Sequence, residues 1–187
     1  VTSFPFLSRI LPVFLAGGCI VVAQNGRFII ESRPTDLFGS PNQFSSLMAQ
    51  TSNSERLGTA HVGGGKLSDD LALGLLGRFE TVFEHYGSTE ANMVYSVRKS
   101  LAADGTVQSE YLGCEGEVQI VDEAGQPTPD GELGELRIRH DYLANDYLNA
   151  PDARESAFRE GWFHPGDLGH FLPDGRLEIV GRTRDTL

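Results

Sequence analysis

Cysteine is nearly absent: Cys19 and Cys114 are the two in 187 residues, and neither lies in a Cys-x-x-Cys pair. That excludes a disulfide framework and makes a reduced, cytoplasmic protein the expectation. Basic residues are scarce as well. Fifteen Lys and Arg against 26 Asp and Glu give a formal net charge of -11, which argues against a phosphate-neutralising nucleic-acid surface. No apolar run reaches the ~18 residues of a membrane-spanning helix, so no membrane partner is expected. Internal repeats and low-complexity segments are missing too. What is present is ordinary: 40% hydrophobic and 22% charged residues, enough for a buried core in one domain or two small ones.

The beginning of the chain has two readings. Phe6, Leu7, Ile10, Leu11 and Phe14 lie at helical spacing within residues 3–16, and Pro12 should shorten or bend that helix. Gly17-Gly18 then turns into Cys19-Ile20-Val21-Val22, a β-branched run suited to a strand buried on both faces. Alternatively, Arg9 before an apolar stretch ending at Cys19 loosely mimics a lipoprotein signal. Pro12, Ser3, Ser8 and the lack of an initiator Met weigh against it, and the helix-turn-strand is preferred. Starting at Val1 and stopping just past Arg182-Thr183-Arg184-Asp185-Thr186, the chain is expected to be a piece of something longer.

Further along, strands and helices alternate. Thr35 to Gly39 reads as a short strand, and Ser40-Pro41 opens a helix with the stripe Phe44, Leu47, Met48. Leu57 to Val62 is a second strand, Ser68-Asp69-Asp70 caps a helix to about Leu76, and Thr81 to His85 is a third strand. This alternation predicts an α/β layered, mostly parallel sheet. After about Tyr95 the style changes. Glu117–Asp122, Glu135–Arg139 and Leu177–Val180 alternate like half-buried strands, with a short helix over Asp152–Phe158 and a turn over Pro173–Arg176. A small antiparallel, β-barrel-like subdomain is predicted there. The expected division is 1–96 and 97–187, the boundary falling near 96–112, where residues 98–109 have little periodicity.

Four segments carry chemistry. Tyr86-Gly87-Ser88-Thr89-Glu90 follows a predicted strand, where ligand-binding loops gather in parallel sheets. An aromatic ring, a glycine, two hydroxyls and a carboxylate could stack a base, admit a phosphate and hold a divalent cation, or merely form a polar turn. Gly63-Gly64-Gly65-Lys66 also follows a strand, and its backbone can approach a flat ligand closely, or simply flex. It is not a Walker A loop: Ala60 stands where the first glycine belongs, and Leu67 replaces the Ser or Thr that would hold magnesium.

The third segment runs from Gly161 through Trp162-Phe163-His164-Pro165-Gly166-Asp167-Leu168. His164, Asp167 and His170 could be read as three metal ligands, but no other His or Cys cluster completes a site. Asp167, acceptor-only when ionised, suits the paired hydroxyls of a ribose. The fourth is Gly181-Arg182-Thr183-Arg184-Asp185, whose guanidinium could reach a sugar or a phosphate, or belong to a solvated turn.

Taken in order, the glycine run, Tyr-Gly-Ser-Thr-Glu, Gly131-Glu132-Leu133-Gly134-Glu135-Leu136, Trp-Phe-His-x-Gly-Asp-Leu and Gly-Arg-x-x-Asp cover nearly the whole chain. This succession resembles the adenylate-forming superfamily of acyl-CoA synthetases, adenylation domains and luciferases. The resemblance implies an ATP-dependent carboxylic acid ligase that makes an acyl-adenylate and then a thioester. ATP/AMP and Mg²⁺ would be its cofactors, and CoA or phosphopantetheine its acceptor.

By that resemblance Gly63, Gly64, Gly65 and Lys66 line the adenine pocket, and Tyr86 stacks on adenine beside Gly87 and Ser88. Thr89 contacts phosphate, Glu90 helps ligate Mg²⁺, Asp167 and Arg182 hold the ribose, and Arg184 is the hinge to a C-terminal domain. The implied partners are a carboxylic acid, the upstream and C-terminal parts of the same enzyme, and an acyl carrier protein. The sequence departs from the family in several places. A Ser/Thr/Gly-rich phosphate loop and the C-terminal lysine are absent from this stretch. Pro165 stands where Thr is usual, Asp146 where Gly is usual, and Gln24–Pro34 and Gly113–Glu117 are short. A non-catalytic remnant binding adenylate or a protein partner is the alternative, and a lipid-anchored domain a third.

Overall fold

The computed structural model describes residues 11–22, 26–51 and 56–183. In chain order the elements are α1 (Gly26–Ser32), β1 (Asp36–Gly39), α2 (Pro41–Gln50), β2 (Leu57–Gly63), α3 (Asp69–Leu76), β3 (Phe79–Ser88), β4 (Asn92–Leu101), β5 (Val107–Cys114), β6 (Glu117–Val121), β7 (Gly134–Arg139), α4 (Pro151–Ala157), β8 (Phe158–Arg159), β9 (Trp162–Phe163), β10 (Asp167–Phe171) and β11 (Leu177–Arg182). They fall into two units, residues 1–89 with 95–112 and residues 90–94 with 113–187.

The first unit is built on the sheet β1-β2-β3-β4-β5. Strands β1, β2 and β3 run parallel, with Asp36 opposite Thr59 and Val62 opposite Glu84. The three-residue link from β3 to β4 is too short for a parallel crossover, so these neighbours run antiparallel and the sheet is mixed.

The helices start where side chains can satisfy their first amides. Ser40 accepts from the Gln43 amide while the Gln43 side chain accepts from the Ser40 amide, and Pro41 follows at the first helical position. Ser68 does the same for α3 by accepting from Leu71, with Asp69 and Asp70 complementing the helix dipole. Phe44 and Leu47 from α2 and Ala72, Leu75 and Leu76 from α3 then bury against Ala60, Val62, Phe79 and Val82 of the sheet. Gly58 lets β1 come close, since a Cβ there would run into the Thr35 carbonyl.

On this sheet Phe38, His61, Phe83 and His85 stack in a row, the two imidazole centroids 5.1 Å apart. Hydrogen bonds run along it: Asp36 Oδ1 to His61 Nε2 at 3.1 Å, His61 Nδ1 to His85 Nε2 at 2.9 Å, and His85 Nδ1 to Ser96 Oγ at 2.7 Å.

The second unit carries the sheet β11-β10-β7-β9-β8, with β6 also paired to β7. The pairs β10–β11, β10–β7, β6–β7, β7–β9 and β8–β9 are antiparallel. Along this path the described strands form an open sheet, so the coarse expectation of an antiparallel second half stands without a closed barrel. Ile120, Val121, Leu136, Ile138, Phe163 and Leu177 are buried. The guanidiniums of Arg137 and Arg139 lie over the Trp162 ring, at 4.5 and 4.3 Å from its centroid.

Several expectations are corrected. Residues 18–22 form no strand and Cys19, Val21 and Val22 are exposed, because no described strand pairs with them. Of the helix expected over 3–16, residues 11–15 are helical, with Leu11, Phe14 and Leu15 exposed, and 3–10 lie outside the described residues. The aperiodic stretch 98–109 holds the end of β4 and the start of β5. A helix does form within Gln24–Pro34, as α1. Among the described residues no helix is long and apolar enough to cross a membrane.

Candidate functional site

In the first unit, β3 runs on through Tyr86, Gly87 and Ser88, so the expected loop after the strand begins only at Thr89. Tyr86 is half-buried and stacks on Tyr95 of β4 at 5.3 Å and 25°. One face of the ring is thereby oriented by a second aromatic. The glycine run leaves β2 with Gly63 still paired to His85, and Gly64 takes φ +77°, a conformation that side-chain-bearing residues rarely adopt. Gly64, Gly65 and Lys66 are exposed, between the buried Val62 and Leu67. At the end of this loop the Leu67 amide donates to Glu84 Oε1 at 2.9 Å.

In the second unit, Glu90 is half-buried and fixed twice. Its carbonyl accepts from Ala144 N at 2.8 Å, and its Oε1 accepts from the Tyr147 hydroxyl at 2.6 Å. The Tyr147 phenol packs on Phe158 and is pushed up to about 12, first by burial and then by the neighbouring Glu90 carboxylate. His140 Nε2 bonds to the Ala91 carbonyl at 2.8 Å and steadies the same turn. Asp146, where the family has glycine, caps the Tyr147 amide and pairs with Arg154 at 3.3 Å. Tyr147 is a residue that the sequence reading passed over. Its partner is 57 positions away, and no local pattern signals such a bond.

Asp167 and Arg182 are brought together. They are cross-strand partners on β10 and β11, and Arg182 Nε lies 3.1 Å from Asp167 Oδ1. Asp167 is 7% exposed and Arg182 largely open to solvent. Thr183 anchors the approach to Asp167 by donating through N and Oγ1 to the Gly166 carbonyl, both at 2.9 Å. Arg184, the expected hinge, and Asp185 lie outside the described residues. Tyr86, the glycine run and Thr89 belong to the first unit, and Glu90, Asp167 and Arg182 to the second.

The metal reading of His164, Asp167 and His170 is set aside. Among the described residues no group of three His, Cys, Asp or Glu side chains is arranged to hold a metal ion. His164 instead takes Arg159 Nη2 at 2.7 Å, and that guanidinium also pairs with Glu135 at 3.0 Å. Burial, and then the Arg159 charge, hold His164 below its ordinary value of 6.5. His170 faces Glu178 at 3.5 Å. Magnesium fits a different arrangement. It accepts one or two carboxylates and completes its shell with phosphate oxygens and water, and Glu90 offers a hard oxygen donor of that kind.

The family profile described as AMP-binding enzyme matches residues 3–148. A medium/long-chain-fatty-acid–CoA ligase, FadD8 of Mycobacterium tuberculosis (strain ATCC 25618 / H37Rv), is 29% identical over 94% of this chain and 33% of its own length. A feruloyl-CoA synthase of Amycolatopsis sp is 28% identical over 95% of this chain and 38% of its own. The chain therefore spans between a third and two fifths of the length of these two curated relatives. The crystal structure of ATP-bound MatB from Rhodopseudomonas palustris superposes with TM-score 0.73 at 25% identity, over 90% of this chain and 35% of that one.

Proposed function

Because the chain belongs to the AMP-binding enzyme family, we propose that it carries the nucleotide-handling residues of an ATP-dependent carboxylic acid ligase. In the whole protein a substrate carboxylate attacks the α-phosphorus of ATP and pyrophosphate leaves, giving an acyl-adenylate. A thiol, of CoA or of carrier-bound phosphopantetheine, then displaces AMP and takes the acyl group.

In this reading each residue has a stated task. The open backbone of Gly63, Gly64, Gly65 and Lys66 lets a purine lie close, and Tyr86 stacks on it beside Gly87 and Ser88. Thr89 donates to phosphate and Glu90 offers its carboxylate to Mg²⁺. Asp167 accepts from the ribose hydroxyls, with Arg182 beside the same sugar, and Arg184 is the hinge. Magnesium, when bound, would offset the charge that develops at phosphorus. The protein's own contribution is alignment of the two reactants and donors fixed before reaction. The observation that supports this most is the way the Glu90 carboxylate and carbonyl are held by Tyr147 and Ala144. That suits a cation shared with phosphates.

The same proposal covers the finer expectations. These are a second sheet curling towards a barrel, a division near residue 96, a cytoplasmic location, and the rest of the enzyme and an acyl carrier as partners. The relatives above act on a fatty acid and on ferulate at nearly equal identity, so the acid is left at the level of its class.

The test is exchange of labelled pyrophosphate into ATP by the whole protein across a panel of carboxylic acids. Acid-dependent exchange is expected, and Glu90→Ala and Asp167→Ala should each abolish most of it while circular dichroism stays unchanged. Silence across a broad panel, or wild-type exchange from both variants, would overturn the reading.

A further inference from the structure

The geometry points to Glu84 and Lys99 as positioning residues for the Gly63–Lys66 loop, an inference that rests on that loop lining the nucleotide site. Glu84 sits on β3 directly opposite Val62, one position before the pair Gly63–His85. Its Oε1 accepts from the Leu67 amide at 2.9 Å, and its Oε2 faces Lys99 Nζ on β4 at 2.9 Å. Lys99 also donates to Ser109 Oγ on β5 at 3.0 Å. The side chains are 16% and 9% exposed.

A carboxylate this far from water is costly to keep, and one backbone amide does not offset that cost. Lys99 supplies the charge, and Ser109 takes one of the remaining ammonium protons. The chain therefore keeps an acceptor at position 84 at the cost of an inward-facing lysine on a neighbouring strand.

The loop itself explains why an acceptor belongs there. Glycine has the most backbone freedom of any residue, and a Cβ at Gly64 would meet nothing within 4 Å. Packing thus does not hold Gly64, while a Cβ at Gly65 would lie 3.5 Å from Pro41, and the chain is fixed at both ends of the loop. The entry is fixed by the sheet ladder at Gly63. The exit is fixed at Leu67, just before Ser68 caps α3, and there the Glu84 carboxylate takes the amide. These two anchors constrain the direction in which the intervening amides face.

What matters for the loop is then the acceptor at position 84, not its charge, and two doubly substituted proteins separate these. Glu84→Gln with Lys99→Met removes both charges and keeps a carbonyl oxygen for the Leu67 amide. Glu84→Leu with Lys99→Met removes both charges and the acceptor. Amide hydrogen exchange at residues 64–67 and AMP affinity by titration calorimetry are measured on both. The Gln/Met protein should keep slow exchange at Leu67 and bind AMP within about threefold of the unsubstituted protein. The Leu/Met protein should exchange Leu67 rapidly and bind AMP roughly tenfold more weakly.

Unchanged exchange and unchanged AMP binding in the Leu/Met protein would overturn the positioning role. So would equal losses in both proteins, since charge rather than the acceptor would then be the cause. If the unsubstituted protein binds no AMP, the functional reading fails, and exchange at Leu67 still decides how the loop is held.

Discussion

Replacing Tyr147 with phenylalanine removes one oxygen atom and asks how firmly Glu90 is held. The ring keeps its contact with Phe158, and the Ala144–Glu90 backbone bond is untouched, so the change isolates the 2.6 Å hydroxyl–carboxylate bond. A hydrogen bond to a charged group contributes about 1.5–3 kcal/mol. Glu90 is half-buried, so solvent replaces part of what is lost, and a cost near ~1.5 kcal/mol is expected. For a chain of this size that lowers the melting temperature by roughly 3–6 °C.

Urea unfolding of wild type, Tyr147→Phe, Glu90→Gln and the double variant closes a thermodynamic cycle. The coupling should be about 1 kcal/mol or more, well above the ~0.3–0.5 kcal/mol scatter of independent sites. With Glu90 in its proposed role at Mg²⁺, Tyr147→Phe in the whole protein should also raise the Mg²⁺ concentration for half-maximal exchange by about tenfold, as loss of an outer partner of a metal ligand does. A coupling indistinguishable from zero would refute the claim that this bond orients Glu90.

Two further outcomes follow from packing and charge. Leu136→Ala deletes a fully buried side chain at the centre of β7 and should cost about 2–5 kcal/mol, read from chemical denaturation; a loss under ~1 kcal/mol would mean the second unit is not packed around it. His164 is held below 6.5 in the folded chain, so the unfolded chain binds its proton first as pH falls. The stability it contributes is complete above 6.5 and declines below it. His164→Gln should therefore flatten the fall in stability between about pH 7 and pH 5, and parallel curves for the two proteins would contradict this.

Legibility in the sequence depended on whether each residue obeyed its local rule. Elements α2, β2 and α3 were readable because Ser40-Pro41, the run Leu57–Val62 and Ser68-Asp69-Asp70 each carry the expected local signal. Strands β4 and β5 were not. Lys99 occupies an inward position beside Val97, and a lysine inside an alternating pattern reads as the end of the alternation. Tyr86–Ser88 looked like a loop because Gly87 and Ser88 are turn residues, yet β3 runs through them. The apolar run at 20–22 misled in the opposite way, since hydrophobicity alone cannot supply a neighbouring strand. At the proposed site, motif order singles out Glu90, Asp167, Arg182 and the glycine loop as candidates. Their neighbours Tyr147 and the pair Glu84–Lys99 are tertiary partners that spacing does not encode.

The stacked row on the first sheet has a sense of travel. With both imidazoles neutral and the Asp36 carboxylate able only to accept, His61 must carry its proton on Nε2 and accept on Nδ1. His85 must then carry its proton on Nε2 and leave Nδ1 to receive the Ser96 hydroxyl. One tautomer choice at the rim, made by Asp36, thus dictates the next two links inward as far as a serine on a different strand. An asparagine at position 36, which can donate as well as accept, would permit the opposite arrangement of every proton in the row without moving a heavy atom.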